Sequence, residues 1–237
     1  YPPERYEVIL VDNGSCASQK EAIESYLLRD HPVPVQYLYH EEAFHFSRMC
    51  NRGADQAKGE LLLFLNDDVE LLQKDCLEKM CRYASAPGVG AVGAKLLFPG
   101  AKLIQHAGVT DLRCGPTHKL SHHSDLKTYY FGANRCNKNM LAVTGACLMV
   151  EREKYFQVHG FHGKMGVGYN DVDLCVKLYE KGYYNVLLNE CVFVHHESLS
   201  RGSDLTDPGK RRRLNEERLL LYECHPWLKE QGDPFYN

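Results

Sequence analysis

The sequence predicts an α/β protein whose sheet is mixed, mostly parallel and flanked by helices. Three observations carry that prediction. Short apolar runs alternate with stretches of helical periodicity. Polar turn residues close several of those runs, as in Asp12-Asn13-Gly14-Ser15 and Asn66-Asp67-Asp68. The 237 residues are 44% hydrophobic and 25% charged, enough apolar content for one α/β domain with a sizeable core. The same composition excludes intrinsic disorder. A formal charge of −3 gives no global reason to bind nucleic acid. The longest uninterrupted apolar run, Leu61 to Leu65, is far below the ~20 residues of a membrane-spanning helix. No secretory signal pattern opens the sequence.

The elements follow in order. Tyr6 to Val11 reads as a buried strand ended by the Asp12–Ser15 turn. Ser18 and Glu21 are spaced as a capping box for a helix through Leu28, and His31-Pro32-Val33-Pro34 breaks that helix. Val35 to Tyr39 is the next strand. Phe46, Met49, Cys50, Gly53, Ala54 and Ala57 recur at helical spacing, with Gly59 as the stop. Leu61 to Leu65 reads as a fully buried strand. A helix through Leu77, Met80, Cys81 and Ala84 ends near Pro87-Gly88, and Val89 to Leu97 is strand-like. Residues 98–139 are the least regular stretch. Leu141 to Val150 reads as a strand interrupted at Thr144-Gly145-Ala146. Short helices over Glu151–His159 and Asp171–Lys181 end at Gly160 and Gly182. Tyr184–Leu188 and Cys191–Val194 read as two short strands, and Lys210-Arg211-Arg212-Arg213 opens a last helix reaching about Cys224. The ten cysteines include no C-x-x-C pair, which points to reduced, mostly core residues of a cytosolic protein rather than zinc or redox motifs.

Four polar clusters could carry chemistry. Adjacent carboxylates at Asp67 and Asp68 repel each other unless a cation or donors compensate, and they follow a strand at once. Open α/β sheets bind ligands beyond such carboxyl ends, and hard divalent cations prefer these oxygens. Asp12 with Gly14 ends another strand and could receive a base N–H. Asn170-Asp171-Val172-Asp173 opens a helix after a glycine-rich loop, where an acid serves as cap or as general base. His195-His196 follows a strand, and alternation turns only one imidazole towards any given site.

Together these segments resemble the family-2 glycosyltransferases of the GT-A fold. The resemblance is carried in order by Tyr6–Ser15, by Phe44–Ala54 leading to Gly59–Asp68, by Val143–Val150 and by Tyr169–Cys175. The stretch from His195-His196-Glu197-Ser198 through Arg201-Gly202 to Asn237 is similar to bacterial members that build surface polysaccharides, including rhamnosyltransferase-like ones. Such members begin with a further strand and helix before the segment that opens here. The resemblance therefore implies that this chain is a single-domain piece of a longer protein. Residues 1–97 would be its nucleotide-binding half, 98–200 its acceptor half and 201–237 a basic lid and C-terminal helix.

The resemblance also implies roles. The donor would be a nucleoside-diphosphate sugar of the UDP or dTDP type, bound by Asp12, Asn13, Gly14, Ser15, Asn51, Asp67, Gly145 and Arg201. Mn²⁺ or Mg²⁺ would be held by Asp68 with His195 or His196, since Asn66 stands at the first position of the family's D-x-D motif. Asp171 would deprotonate a hydroxyl of a glycan or lipid-linked acceptor, with inversion at the anomeric carbon. The expected place of action is the cytoplasm, at the inner face of the cell membrane where the acceptor is lipid-linked. Further domains or copies of the same polypeptide are the expected protein partners. Two other readings remain open: a carbohydrate-binding or scaffolding module without turnover, and a zinc hydrolase using His106, His118, His122 and His123.

Overall fold

The computed structural model describes residues 2–29, 32–196 and 207–236. After one 3-10 turn over Pro3–Arg5, strand β1 spans Val8–Asp12, helix α1 Ala17–Leu27 and β2 Val35–Tyr39. β1 and β2 pair in parallel, as a strand–helix–strand crossover requires, and form a ribbon of their own. The helix begins at Ala17, so Ser18 already lies inside its first turn. The cap is Cys16, whose N–H donates to Gln19 Oε1 at 3.3 Å, rather than the expected Ser18–Glu21 pair. Helix α2 spans Phe46–Gln56 and β3 Leu61–Leu65, and β4 at Val69–Leu71 follows directly.

The main sheet has seven strands. Helix α3 (Cys76–Ala84) leads into β5 (Val89–Leu97), and three short strands follow: β6 (Ile104–His106), β7 (Val109–Leu112) and β8 (Gly115–His118). After β9 (Lys138–Met140) and β10 (Cys147–Glu151) come α4 (Arg152–Gln157), α5 (Asn170–Glu180) and β11 (Tyr184–His195). Helices α6 (Pro208–Cys224) and α7 (Pro226–Gln231) complete the described chain. The strand order is β3-β10-β5-β11-β4, with β6 added to β5 and β9 to β11, while β7 and β8 form a separate hairpin.

The sheet is mixed, as expected, but its pairings are mostly antiparallel. Only β5 and β11 pair in parallel within it. The alternation of strands and helices gives the directions of β3, β5 and β11, which run the same way. What it does not give is β10, inserted antiparallel between β3 and β5. The residues expected as two short strands are one strand, β11, with a register shift between Leu188 and Val192. Of the expected strand from Leu141 to Val150, only β10 is a strand. Leu141 to Ala146 is buried irregular chain that turns at Thr144-Gly145.

Two apolar cores lie against the main sheet. The larger gathers α2, α4, α5, α6 and α7 around residues such as Tyr155, Phe161, Leu174 and Leu221. The smaller packs α3, through Cys76, Met80 and Ala84, on Val92, Leu96 and Phe193. β3 is less buried than an all-apolar strand suggests: only Leu62 is fully covered, and Leu65 is 49% exposed. Among the described residues it pairs with β10 alone, and β1 pairs with β2 alone. Glu7 Oε1 accepts from the N–H groups of Lys58 and Gly59, so β1 and β3 start near each other without pairing. All ten cysteines are free thiols. Cys76, Cys147, Cys175 and Cys191 are buried, whereas Cys16, Cys114, Cys136 and Cys224 are exposed rather than core. Among the described residues no helix is long and apolar enough to cross a membrane.

Candidate active site

The carboxyl ends of β3 and β11 bring the first pair together. β4 returns antiparallel along β11 with Val69 opposite His195. That register sets Asp68, the residue before Val69, beside the imidazole. His195 Nε2 lies 3.0 Å from Asp68 Oδ1 and 3.4 Å from Asn66 Nδ2. The next residue faces the other way: His196 Nε2 lies 3.3 Å from Glu70 Oε2 on the exposed rim. Of the two candidate histidines, the structure thus places His195 with Asp68 and sets His196 apart. Asp67 is exposed in the turn.

Asp68 Oδ1 is buried and, among the described residues, has no hydrogen-bond partner. A buried carboxylate oxygen left in that state is costly. Its neighbour His195 Nε2 is also a potential lone-pair donor, so the two converge on the same space. Their 3.0 Å separation matches the edge of an octahedron whose ligands stand about 2.1 Å from the ion. The pair fits a hard divalent cation that takes its other ligands from water or phosphate. Among the described residues no three His, Cys, Asp or Glu side chains converge on one point. The four histidines of the zinc reading do not gather either. His106 and His118 meet at Nδ1 (2.9 Å), His122 stacks on Phe98, and His123 packs edge-on to Tyr129.

A second carboxylate is built at the start of α5. Asp171 Oδ2 accepts from Gly145 N–H at 2.8 Å, and Oδ1 from Val172 N–H at 2.9 Å. A Cβ on Gly145 would come 3.1 Å from the Phe46 ring, which would have to shift by a few tenths of an ångström, and 3.5 Å from Asp171 Cβ, an ordinary contact. The Thr144-Gly145 turn is held from behind. Thr144 N–H donates to His106 Nε2 at 3.3 Å, which leaves Nδ1 to carry the hydrogen donated to His118 Nδ1. Burial, then the charges of His118 and His195, hold His106 well below the usual imidazole range, consistent with this neutral form.

The loop before α5 is clamped. Glu217 on α6 accepts from Gly166, Val167 and Gly168 N–H at 2.7, 3.1 and 2.7 Å. A Cβ at Gly168 would meet the end of the Leu214 side chain at 2.4 Å and Glu217 Oε2 at 3.1 Å, so a side chain there would displace Leu214 and crowd the clamp. Tyr169, which caps α5, takes a left-handed φ of 57°. Beside it opens a cleft of about 430 Å³ lined by Arg211, Arg212 and Arg218 from α6.

The Asp12 turn lies on the β1–β2 ribbon. Asp12 Oδ1 accepts from Gly14 and Ser15 N–H at 3.0 and 2.8 Å, and Oδ2 from Tyr37 O–H at 2.6 Å. Burial raises its carboxyl, but those hydrogen bonds outweigh burial and hold it below the usual carboxylate range. Asn13 donates to the Glu42 carbonyl at 3.3 Å. Gly14 has a φ of 123°, and the Ser15 carbonyl accepts from Tyr39 O–H at 3.4 Å.

Asn51 is engaged within the fold. Its Oδ1 accepts from Tyr155 O–H (2.5 Å) and Phe161 N–H (3.0 Å), and its Nδ2 donates to the Phe161 carbonyl. These bonds tie α2 to α4 and the turn after it. Arg201 lies outside the described residues. Sequence reasoning missed Tyr37, Gln105 and Glu217, and named His106 only as part of a zinc site. The one local signal for two of them is the polar dipeptide Gln105-His106, fully enclosed between Ile104 and Ala107.

A mixed sheet flanked by helices in this order is the GT-A fold of glycosyltransferases. Solved structures share it: the mannosyltransferase PcManGT from Pyrobaculum calidifontis, in complex with GDP-Man and Mn²⁺, superposes with a TM-score of 0.63 at 17% identity over 96% of this chain and 64% of its own. GalNAc-T7 with UDP, GalNAc and Mn²⁺ gives 0.65 at 15% identity, over 95% of this chain and 47% of its own. The model of glycosyl transferase family 2 matches residues 1–156, and the chain belongs to that family. It is 34% identical over 242 residues to the O-antigen biosynthesis protein RfbC of Myxococcus xanthus, covering 100% of this chain and 18% of that protein. It is 36% identical to the uncharacterised protein y4gI of Sinorhizobium fredii, over 98% of this chain and 25% of that protein. The chain thus spans a quarter or less of these curated relatives.

Proposed function

We propose that this chain is the catalytic domain of an inverting, divalent-metal-dependent glycosyltransferase. It moves a sugar from a nucleoside-diphosphate sugar, of the UDP or dTDP type, to a hydroxyl of a glycan or lipid-linked acceptor. The setting is bacterial surface polysaccharide synthesis at the cytoplasmic face of the membrane. The observation that carries the reading is the unpartnered, buried Asp68 Oδ1 set 3.0 Å from His195 Nε2. Support for the setting comes from the likeness to an O-antigen biosynthesis protein.

Asp68 and His195 would hold Mn²⁺ or Mg²⁺, whose positive charge stabilises the diphosphate leaving group. Asp12, kept ionised by its three donors, presents a carboxylate to the base or ribose. Asp67, exposed in the same turn as Asp68, is free to turn to the ribose. Asp171 accepts the proton of the attacking hydroxyl, and its geometry is set by Gly145 N–H before any acceptor arrives. Arg211, Arg212 and Arg218, with Arg201 from outside the described residues, supply positive charge for phosphate oxygens. Further segments of a longer polypeptide would complete the sheet between β1 and β3.

Calorimetric titration with UDP and Mn²⁺ tests the reading. Binding that requires Mn²⁺ and disappears in Asp68→Ala is the expected result. UDP binding indifferent to both the ion and Asp68 would overturn it. A carbohydrate-binding module without turnover would show glycan affinity and no donor binding.

A further inference from the structure

Gln105 sits on β6, 6% exposed, with its side chain against His195. Its role can be deduced from what each neighbouring atom is able to do. The backbone carbonyl of His195 only accepts, and Gln105 Nε2 donates to it at 3.5 Å. That contact orients the amide. A reversed amide would set two carbonyl oxygens against each other. With the amide so oriented, Gln105 Oε1 faces His195 Nδ1 at 2.8 Å. An oxygen at that distance requires a hydrogen on Nδ1. A neutral imidazole with its hydrogen on Nδ1 has a bare Nε2, and Nε2 lies 3.0 Å from Asp68 Oδ1 without hydrogen-bond geometry, so that oxygen does not claim a hydrogen from it.

We propose that Gln105 is a positioning residue that fixes both the ring plane and the tautomer of His195, so that the Nε2 lone pair is presented with Asp68 to the cation. This rests on the reading of Asp68 and His195 as cation ligands. The inference adds the group that prepares one of them. His106, the next residue along β6, faces the Thr144 turn instead. The same short strand therefore braces the donor side through one side chain and the acceptor side through the next. Gln105 also does this without adding charge. Asp68 and the rim residue Glu70 already place carboxylates near the histidine pair, and an amide accepts from Nδ1–H without a third.

Two readouts test the proposal, one of them independent of metal. Nitrogen-15 NMR of the metal-free chain, at a pH about two units above the ordinary imidazole value, reports which His195 nitrogen carries the hydrogen. The expected result is Nδ1–H in the unaltered chain and a tautomer mixture in Gln105→Leu. An Nε2–H tautomer in the unaltered chain, or no change in Gln105→Leu, overturns the proposal. The second readout is Mn²⁺ affinity in the presence of UDP. Gln105→Leu should weaken it roughly 10- to 100-fold, as loss of an outer-shell partner does. Gln105→Glu keeps an acceptor for Nδ1–H but loses the donor to the His195 carbonyl and adds a charge; it should restore the Nδ1–H tautomer and recover only part of the affinity, and it also serves if the leucine variant misfolds. If His195→Ala releases the ion but Gln105→Leu does not, the cation site stands and the role of Gln105 fails. If His195→Ala leaves Mn²⁺ affinity unchanged, the cation reading itself fails, and the role of Gln105 towards the ion falls with it.

Discussion

At the scale of single residues, two carboxylates receive opposite treatment. Among the described residues Asp68 keeps a buried oxygen without a hydrogen bond, whereas both oxygens of Asp171 are already engaged by backbone N–H groups. The first arrangement suits a cation, and the second holds a base in one orientation. Asp171→Asn should therefore lower turnover by roughly 10²- to 10⁴-fold. It should leave Mn²⁺-dependent UDP affinity within about twofold, since the lost function is proton acceptance; single-turnover kinetics beside calorimetry would check this. The positions of Asp68 and Asp171 were legible in the sequence, because each follows a strand end or a glycine-rich loop. The choice between His195 and His196 was not. Alternation says that the two imidazoles diverge, and only the pairing of Val69 with His195 says which one meets Asp68.

At the scale of elements, the end of the chain is tied to α5 by charge. His225, just before α7, lies 3.1 Å from Asp173 Oδ1 and 2.8 Å from Glu180 Oε1. Burial lowers the His225 imidazole, but its hydrogen bonds to the two carboxylates raise it further, so its net pKa lies above the ordinary value of 6.5. Burial raises Asp173, and bonding to His225 and Lys177 brings it net below 3.8. The signs then follow. The His225 contribution is complete below pH 6.5 and fades as pH rises through the raised value. The Asp173 contribution is complete above pH 3.8 and fades as pH falls through the lowered one. Thermal melting should accordingly lose stability as pH rises above 6.5 and through the raised His225 value in the native chain, and His225→Gln should flatten that slope. Glu217 makes a second tie. Glu217→Ala leaves three loop N–H groups without their acceptor and should cost about 2–4 kcal/mol in urea unfolding, with Glu217→Gln losing less. Elements carried by local pattern were legible: β2, β3 and β5 fall where the apolar runs lie, and α2 where the 3.6-residue spacing lies. Between 98 and 139, strands of three or four residues are too short for a local period to announce them, and β9 also depends on a partner far along the chain, β11. The buried run from Leu141 shows the converse, since apolarity reports burial and not hydrogen bonding.

At the scale of the whole molecule, stability is unevenly distributed. β5 is buried along almost its whole length and flanked by β10 and β11. The β1–β2 ribbon hangs beside this sheet. No α1 side chain is buried, and Tyr6, Val8, Tyr26 and Leu28 are all exposed. Native-state hydrogen exchange should therefore find the β1 and β2 amides opening at much lower free energy than those of β5 and β11. Uniform protection across both would contradict this.

That separation has a consequence for ligand affinity. The Asp12 turn belongs to the ribbon, whereas Asp68 and His195 belong to the sheet. A donor spanning both meets a competent receptor only in the fraction of molecules whose ribbon is closed. Its apparent dissociation constant is the intrinsic one divided by that fraction. Any contact that rivets β1 to β3, from whatever segment provides it, would then strengthen nucleotide binding without touching the nucleotide.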